Sequence, residues 1–298
     1  MSVTVRVPAK VNVQLAVGAA RPDGFHGLAN VFLAVSLFDE VTATRADGLT
    51  VTCAGPDADQ VPLDRTNLAA RAAEMLAERA GIEPAVHLHI AKNIPVAGGM
   101  AGGSADGAAA LLACDALWGL DTPRAELLDI CAVLGSDVPF SLVGGAALGT
   151  GRGELLTPVD AGTFHWVFAV ADGGLSTPAV FREFDRLTAG TAVPEPEASP
   201  ALLAALASGD PDALAATLAN DLQPAALSLR PALADTLAAG TGAGALAALV
   251  SGSGPTTAFL VRDEESAAKV AAALEASGTC RVTRVASSPA PGATLLPS

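Results

Sequence analysis

The sequence predicts an α+β chain of two domains, and three observations carry that reading. Strand-like alternation opens it (Val3, Val5, Val7, then Val11, Val13, Leu15, Val17), a glycine-dense run joins a strand to an apolar helix near residue 100, and a strand, a helix and a strand close it. A chain of 298 residues that is 51% hydrophobic can bury two cores. The division is placed between an N-terminal domain, 1–158, and a C-terminal domain, 159–298.

The elements follow in order. Pro8 puts a break or bulge between the first two alternating stretches. A strand is expected over 31–44 and a short one over 49–53. Helical spacing over 67–80 stops at Gly81, a residue suited to the left-handed turn after a helix. A strand over 85–91 leads into the run IPVAGGMAGGSADGAAA, 94–110. Ser104 is read there as the N-cap of a helix reaching about Trp118. Thr122 and Pro123 open the next helix as N-cap and first residue, GSDVP at 135–139 ends it, and strands follow near 143–149 and 154–159.

In the second half, a strand over 166–170 and a helix over 178–187 precede a segment, 188–199, that is rich in Ala, Thr, Pro and Glu and reads as a mobile surface loop. Short helices are expected over 200–239. A strand at 256–261, a helix at 264–276 and a strand at 281–286 then suggest a ferredoxin-like unit.

Seventeen basic against thirty-one acidic residues leave a net charge of −14 with no basic cluster, which argues against nucleic acid or an anionic membrane as partner. Cys53, Cys114, Cys131 and Cys280 form no C-x-x-C pair and read as reduced thiols of a cytoplasmic protein. The amino terminus has no apolar signal region, and Asp, Pro, Arg and Gly interrupt the Ala-rich stretches after Pro200, so neither a signal peptide nor a spanning helix is expected.

The glycine run is the chemical signal. Gly98, Gly99, Gly102 and Gly103 let backbone approach a ligand without Cβ interference, and free N–H groups at the positive end of the helix dipole attract anions. It is not a Walker A loop, because Ser104 rather than Lys follows Gly103, nor a dinucleotide fingerprint. The stretches Gly149-x-Gly151-x-Gly153 and Gly240-x-Gly242-x-Gly244 match that fingerprint weakly. His87 and His89 share a strand face with no third ligand in view and read as solvated residues. Asp57, Asp59 and Asp64 read as a solvated loop.

Seven motifs in order then resemble the GHMP kinases: PAKVN at 8–12, RPDGFH at 21–26, TNL at 66–68, PVAGGMAGGSAD at 95–106, GSDVPF at 135–140, NDL at 220–222 and SGSGPT at 251–256. The resemblance implies a ribosomal-protein-S5-domain-2-like nucleotide domain before the ferredoxin-like one, ATP and Mg2+ as cofactors, and transfer of the γ-phosphoryl group to a hydroxyl of a small molecule carrying a cytidyl diphosphate. By matching position it implies Lys10 and Asp137 as the catalytic pair. Asn67, Lys92 and the loop Pro95, Val96, Ala97, Gly98, Gly99, Met100, Ala101, Gly102, Gly103, Ser104 and Ala105 would hold the nucleotide, with Ala97 and Ala101 standing where relatives often have Gly. Asn12, Phe25, His26, Thr177 and Phe181 would hold the substrate, the aromatic rings stacking on cytosine; Phe25 replaces a common Tyr. Two alternatives stay open: a homoserine- or mevalonate-type kinase of the same family, and a nucleotide-binding regulator without catalysis.

Overall fold

The computed structural model describes residues 2–297. The alternating start of the chain forms one long strand, β1 (Ser2–Ala20), paired antiparallel with β2 (His26–Arg45). The strand runs through Pro8 instead of breaking there. Its register with β2 slips between Pro8 and Ala9, so the bulge absorbs the missing donor. β3 (Thr50–Ala54) and α1 (Leu68–Ala80) follow; Asn67 caps the helix by accepting from Ala69 N, and Gly81 ends it at φ 67°. β4 (Val86–Ala91) leads to α2 (Gly102–Trp118), then α3 (Arg124–Leu134), α4 (Val138–Val143), β5 (Ala146–Thr150) and β6 (Leu155–Pro158).

Two helix starts differ from expectation. Pro123, not Thr122, holds the cap position of α3, and the Thr122 N–H donates to Asp115 Oδ1 instead. GSDVP ends α3 at Gly135 and also opens α4, whose cap position is Asp137.

The second half comprises β7 (Phe164–Val170), α5 (Thr177–Thr188), α6 (Pro200–Ser208), α7 (Pro211–Ala215), β8 (Ala219–Asn220), α8 (Gln223–Leu229) and α9 (Ala232–Gly242). β9 (Ala247–Val250), β10 (Thr257–Val261), α10 (Glu264–Ser277), β11 (Val282–Ser288) and β12 (Thr294–Leu295) complete it. The four-stranded sheet runs β11-β7-β10-β9, antiparallel throughout, the strand order of a ferredoxin-like unit.

The larger sheet runs β12-β1-β2-β4-β3, with β5 and β6 continuing from the near end of β2 and β8 parallel to β1. The second half of the chain thus supplies two short strands to the first sheet. Alternation in β7 explains the join: Phe164, Trp166 and Phe168 face the large core shared with the first sheet, while Val167 and Ala169 face α9 and α10. Fully burying such side chains contributes about 1.5–3 kcal/mol each. The segment 189–199 has neither helix nor strand, and Gln14 tethers it, donating to Glu197 O at 2.7 Å and accepting from Ser199 N at 2.9 Å.

Candidate active site

The glycine loop is built by its supports. Asp39 Oδ1, from β2, accepts the N–H groups of Asn93 (2.6 Å) and Ile94 (2.8 Å) and turns the chain as it leaves β4. Ala97, Gly99 and Ala101 then take left-handed angles of 51°, 76° and 61°. Three successive carbonyls point away from the ligand side: Gly98 O accepts from Thr256 N, Gly99 O from Lys10 Nζ and Ser251 Oγ, and Met100 O from Lys10 N. A Cβ on Gly99 would stand 2.1 Å from Ser251 O, so glycine is required there. The Ser251 segment is itself held by Asn220, whose Nδ2 donates to Val250 O (2.7 Å) and Gly252 O (2.8 Å).

With the carbonyls turned away, the first N–H groups of α2, those of Gly102, Gly103 and Ser104, have no acceptor within the helix. These residues line a cavity of about 690 Å³ together with Ala97, Gly98, Gly99 and Ala101. A helix start of this kind is an anion site. Ser104 is not the N-cap: the helix begins two residues earlier, after Ala101, and Ser104 sits in its first turn. Pro95, Val96, Met100 and Ala105 are not in the cavity wall, and Met100 and Ala105 are wholly buried behind it.

Lys10, from β1, and Asp137, from the start of α4, meet in the same cavity with Nζ and Oδ2 3.7 Å apart. Lys10 donates to Asn12 Oδ1 at 2.6 Å, and Asn12 Nδ2 donates to Asn30 Oδ1 at 2.6 Å. Burial pushes the Lys10 pKa below the ordinary lysine value, and the Asp137 charge opposes that shift. The same cavity wall also holds Phe25, His26, Thr177 and Phe181. His26 and Phe181 stack with centroids 4.9 Å apart, Phe25 is half exposed under the Arg152 guanidinium at 5.0 Å, and Thr177 Oγ1 is 2.9 Å from Ser253 Oγ. An ammonium and a carboxylate near an anion site, with a ring-lined slot beyond, can hold two phosphate-bearing molecules and move a proton between them.

The family model described as GHMP kinases N terminal domain matches residues 67–145, and the one described as GHMP kinases C terminal matches 202–280. The chain belongs to the GHMP kinases. Curated GHMP relatives named 4-diphosphocytidyl-2-C-methyl-D-erythritol kinase include that of Streptomyces avermitilis, 77% identical over 99% of this chain and 100% of the relative. That of Mycobacterium tuberculosis is 57% identical over 99% and 93%. A crystal structure of 4-(cytidine 5'-diphospho)-2C-methyl-D-erythritol kinase superposes with a TM-score of 0.77, at 31% identity, over 96% of this chain and 99% of that one. Homoserine kinase from Cytophaga hutchinsonii shares the fold, with a TM-score of 0.74 at 22% identity over 99% and 97%. GHMP kinases are small-molecule phosphotransferases with ATP as phosphate donor, and this chain is one of them.

Two residues expected beside the GHMP nucleotide are outside the cavity wall. Asn67 is spent on structure, capping α1 and donating to Pro62 O at 2.7 Å. Lys92 is buried beneath the first turn of α2, between Asp39 Oδ2 (2.6 Å) and Asp106 Oδ2 (2.7 Å), outside the cavity wall. Asp57, read as solvated, is buried and joined by two bonds to Arg281 of the C-terminal half at 2.7 and 2.9 Å, which hold its carboxyl below the usual range. His87 and His89 stand beside Thr50 and Thr52 on the sheet edge.

Sequence reasoning missed Asn30, Arg152 and Asp185, all in the cavity wall. Arg152 lies inside the Gly149–Gly153 stretch set aside as a poor dinucleotide match. Asp185 is one helical turn beyond Phe181, a spacing that places both on one face of α5.

Proposed function

We propose that this protein transfers the γ-phosphoryl group of ATP to the 2-hydroxyl of 4-diphosphocytidyl-2-C-methyl-D-erythritol, a cytoplasmic step of the non-mevalonate route to isoprenoid precursors. The observation that carries the reading is the meeting of the Lys10–Asp137 pair with the start of α2 in one cavity whose wall also holds His26, Phe25 and Phe181. The full-length relatives bearing that enzyme's name support it. The domain division between 158 and 159 is likewise a proposal, supported by the end of β6 at Pro158 and the start of β7 at Phe164.

In this mechanism the N–H groups of Gly102, Gly103 and Ser104 bind the donor phosphates and align them with the acceptor. Asp137 accepts the proton of the acceptor hydroxyl as its oxygen bonds to the γ-phosphorus, and the bond from that phosphorus to the β-phosphate oxygen breaks, releasing ADP. Lys10 keeps the Asp137 carboxylate ionised and orients the hydroxyl. Asn12, fixed by Asn30, holds Lys10 in register.

The donor set fits Mg2+ as an ion carried largely on phosphates. Asp137 and Ser104 offer hard oxygens in the cavity wall, and among the described residues no cluster of three or more His, Cys, Asp or Glu could hold a metal alone. When bound, Mg2+ supplies charge neutralisation at the phosphates.

The test is ADP release with the cytidyl substrate, homoserine and mevalonate. Turnover should be far greater with the cytidyl substrate. Equal turnover with homoserine or mevalonate would move the chain to one of those kinases, and no turnover with any of the three would favour the regulator.

A further inference from the structure

His26, the first residue of β2, is only 7% exposed yet lines the cavity. Its ring is clamped by one face of α5. Phe181 stacks on it, Phe184 meets it edge-on at 6.0 Å, and Nε2 lies 2.9 Å from Asp185 Oδ1. A carboxylate only accepts hydrogen bonds, so the proton of the neutral ring sits on Nε2 and Nδ1 keeps a lone pair. Nδ1 has no protein partner among the described residues, and it is not among the buried polar atoms sealed away without one. It is therefore accessible, in a residue that lines the cavity.

We infer that Asp185 is a positioning residue for base selection: by fixing His26 as the Nε2–H tautomer, it makes Nδ1 an acceptor that takes a pyrimidine bearing an exocyclic amine and rejects one bearing a carbonyl. The inference rests on the cytidyl reading above. Cytosine presents an amine at the position where uracil presents an oxygen, so uracil would set lone pair against lone pair. A site built to bond a substrate N–H discriminates strongly against the analogue that lacks it, because its own buried polar atom is left unpaired. The bonding also separates this role from the chemistry, since Asp185 pairs with His26 and makes no hydrogen bond or ion pair with Lys10 or Asp137 among the described residues.

The experiment compares wild type, Asp185→Asn and Asp185→Glu in steady-state ADP release with the cytidyl substrate and with its uridyl counterpart. The Asp185 side chain is 43% exposed, so the folded protein tolerates either change, and circular dichroism checks it. An Asn amide can donate to Nε2, which moves the ring proton to Nδ1 and reverses what the cavity offers. The cytidyl-over-uridyl preference in kcat/KM should fall by about tenfold or more in Asp185→Asn. That loss should appear chiefly as a raised KM for the cytidyl substrate, and Asp185→Glu should restore much of the preference. A wild type that selects cytidyl, together with an Asp185→Asn protein that selects it equally well, would overturn the inference and leave the parent reading standing. A wild type inactive on the cytidyl substrate would overturn both.

Discussion

The Lys10 ammonium sits 3.7 Å from Asp137 Oδ2 while it donates at 2.6 Å to Asn12 Oδ1 and at 2.8 Å to Gly99 O. The two short bonds fix the ammonium; the longer approach is beyond hydrogen-bond range and leaves the carboxylate free to accept from a third group. Asp137 occupies the cap position of α4 but makes no side-chain capping bond, so its carboxylate is not committed to the helix. Asp137→Asn should therefore lower kcat by about 10²–10⁴-fold with little change in ATP binding. Single-turnover rates and calorimetric titration of ATP check this, and near-normal turnover would make Asp137 a structural residue.

Burial lowers the Lys10 pKa from the ordinary 10.5, against the raising effect of Asp137. In the proposed mechanism the protonated form is the active one, so activity should be present below the lowered pKa and lost as pH rises through it. The alkaline limb of kcat/KM should fall before the pH at which an ordinary lysine titrates. Lys10→Arg, whose guanidinium stays charged, should be slower but lack that limb. A wild-type profile flat up to the ordinary lysine value would contradict the assignment.

Local patterns were legible in the sequence and distant partners were not. Alternation gave β1 and β4, and the residues Asn67 and Gly81 bounded α1 as capping chemistry requires. Ser104 was misplaced because a serine in a first turn and a serine at the cap look alike when glycines precede both. β9 escaped notice because the apolar run at 245–250 does not alternate, although it pairs with the next strand, β10; β12 escaped because two residues carry no period, and it exists by pairing with the distant β1. Lys92 was assigned to the nucleotide by its matching position in the family, and its buried ion pairs could not be read from the sequence. Its partners Asp39 and Asp106 lie 53 and 14 positions away, and that of Asp57 lies 224 away.

Ala97 and Ala101 hold left-handed angles that cost an L-residue about 1–2 kcal/mol. Replacing either by Gly should recover part of that cost, less what Gly loses in the unfolded chain, giving a net gain of a few tenths to about 1 kcal/mol. Gly99→Ala should do the opposite, since its Cβ would meet Ser251 O at 2.1 Å. Urea midpoints of the three variants decide the matter. A lower midpoint for Ala101→Gly would show that the alanine methyl packs in a way that outweighs its backbone strain.

The buried Asp39–Lys92–Asp106 cluster sets two carboxyl groups against one ammonium beneath the first turn of α2. Burial, aided by the Asp39 charge and resisted by Lys92, pushes Asp106 up to about 8 from the ordinary 3.8. Ionising Asp106 would set two buried carboxylates against one ammonium, whereas the neutral acid leaves one negative charge facing one positive. The folded state then holds this proton more tightly than the unfolded chain does. Its contribution to stability is complete below the ordinary carboxylate pKa and is lost as pH rises through about 8. The wild-type urea midpoint should consequently fall between about pH 4 and about pH 8, whereas in Asp106→Asn, whose amide cannot ionise, the fall should be smaller. Equal slopes in the two proteins would mean that Asp106 is ionised throughout and that Lys92 satisfies both carboxylates at once.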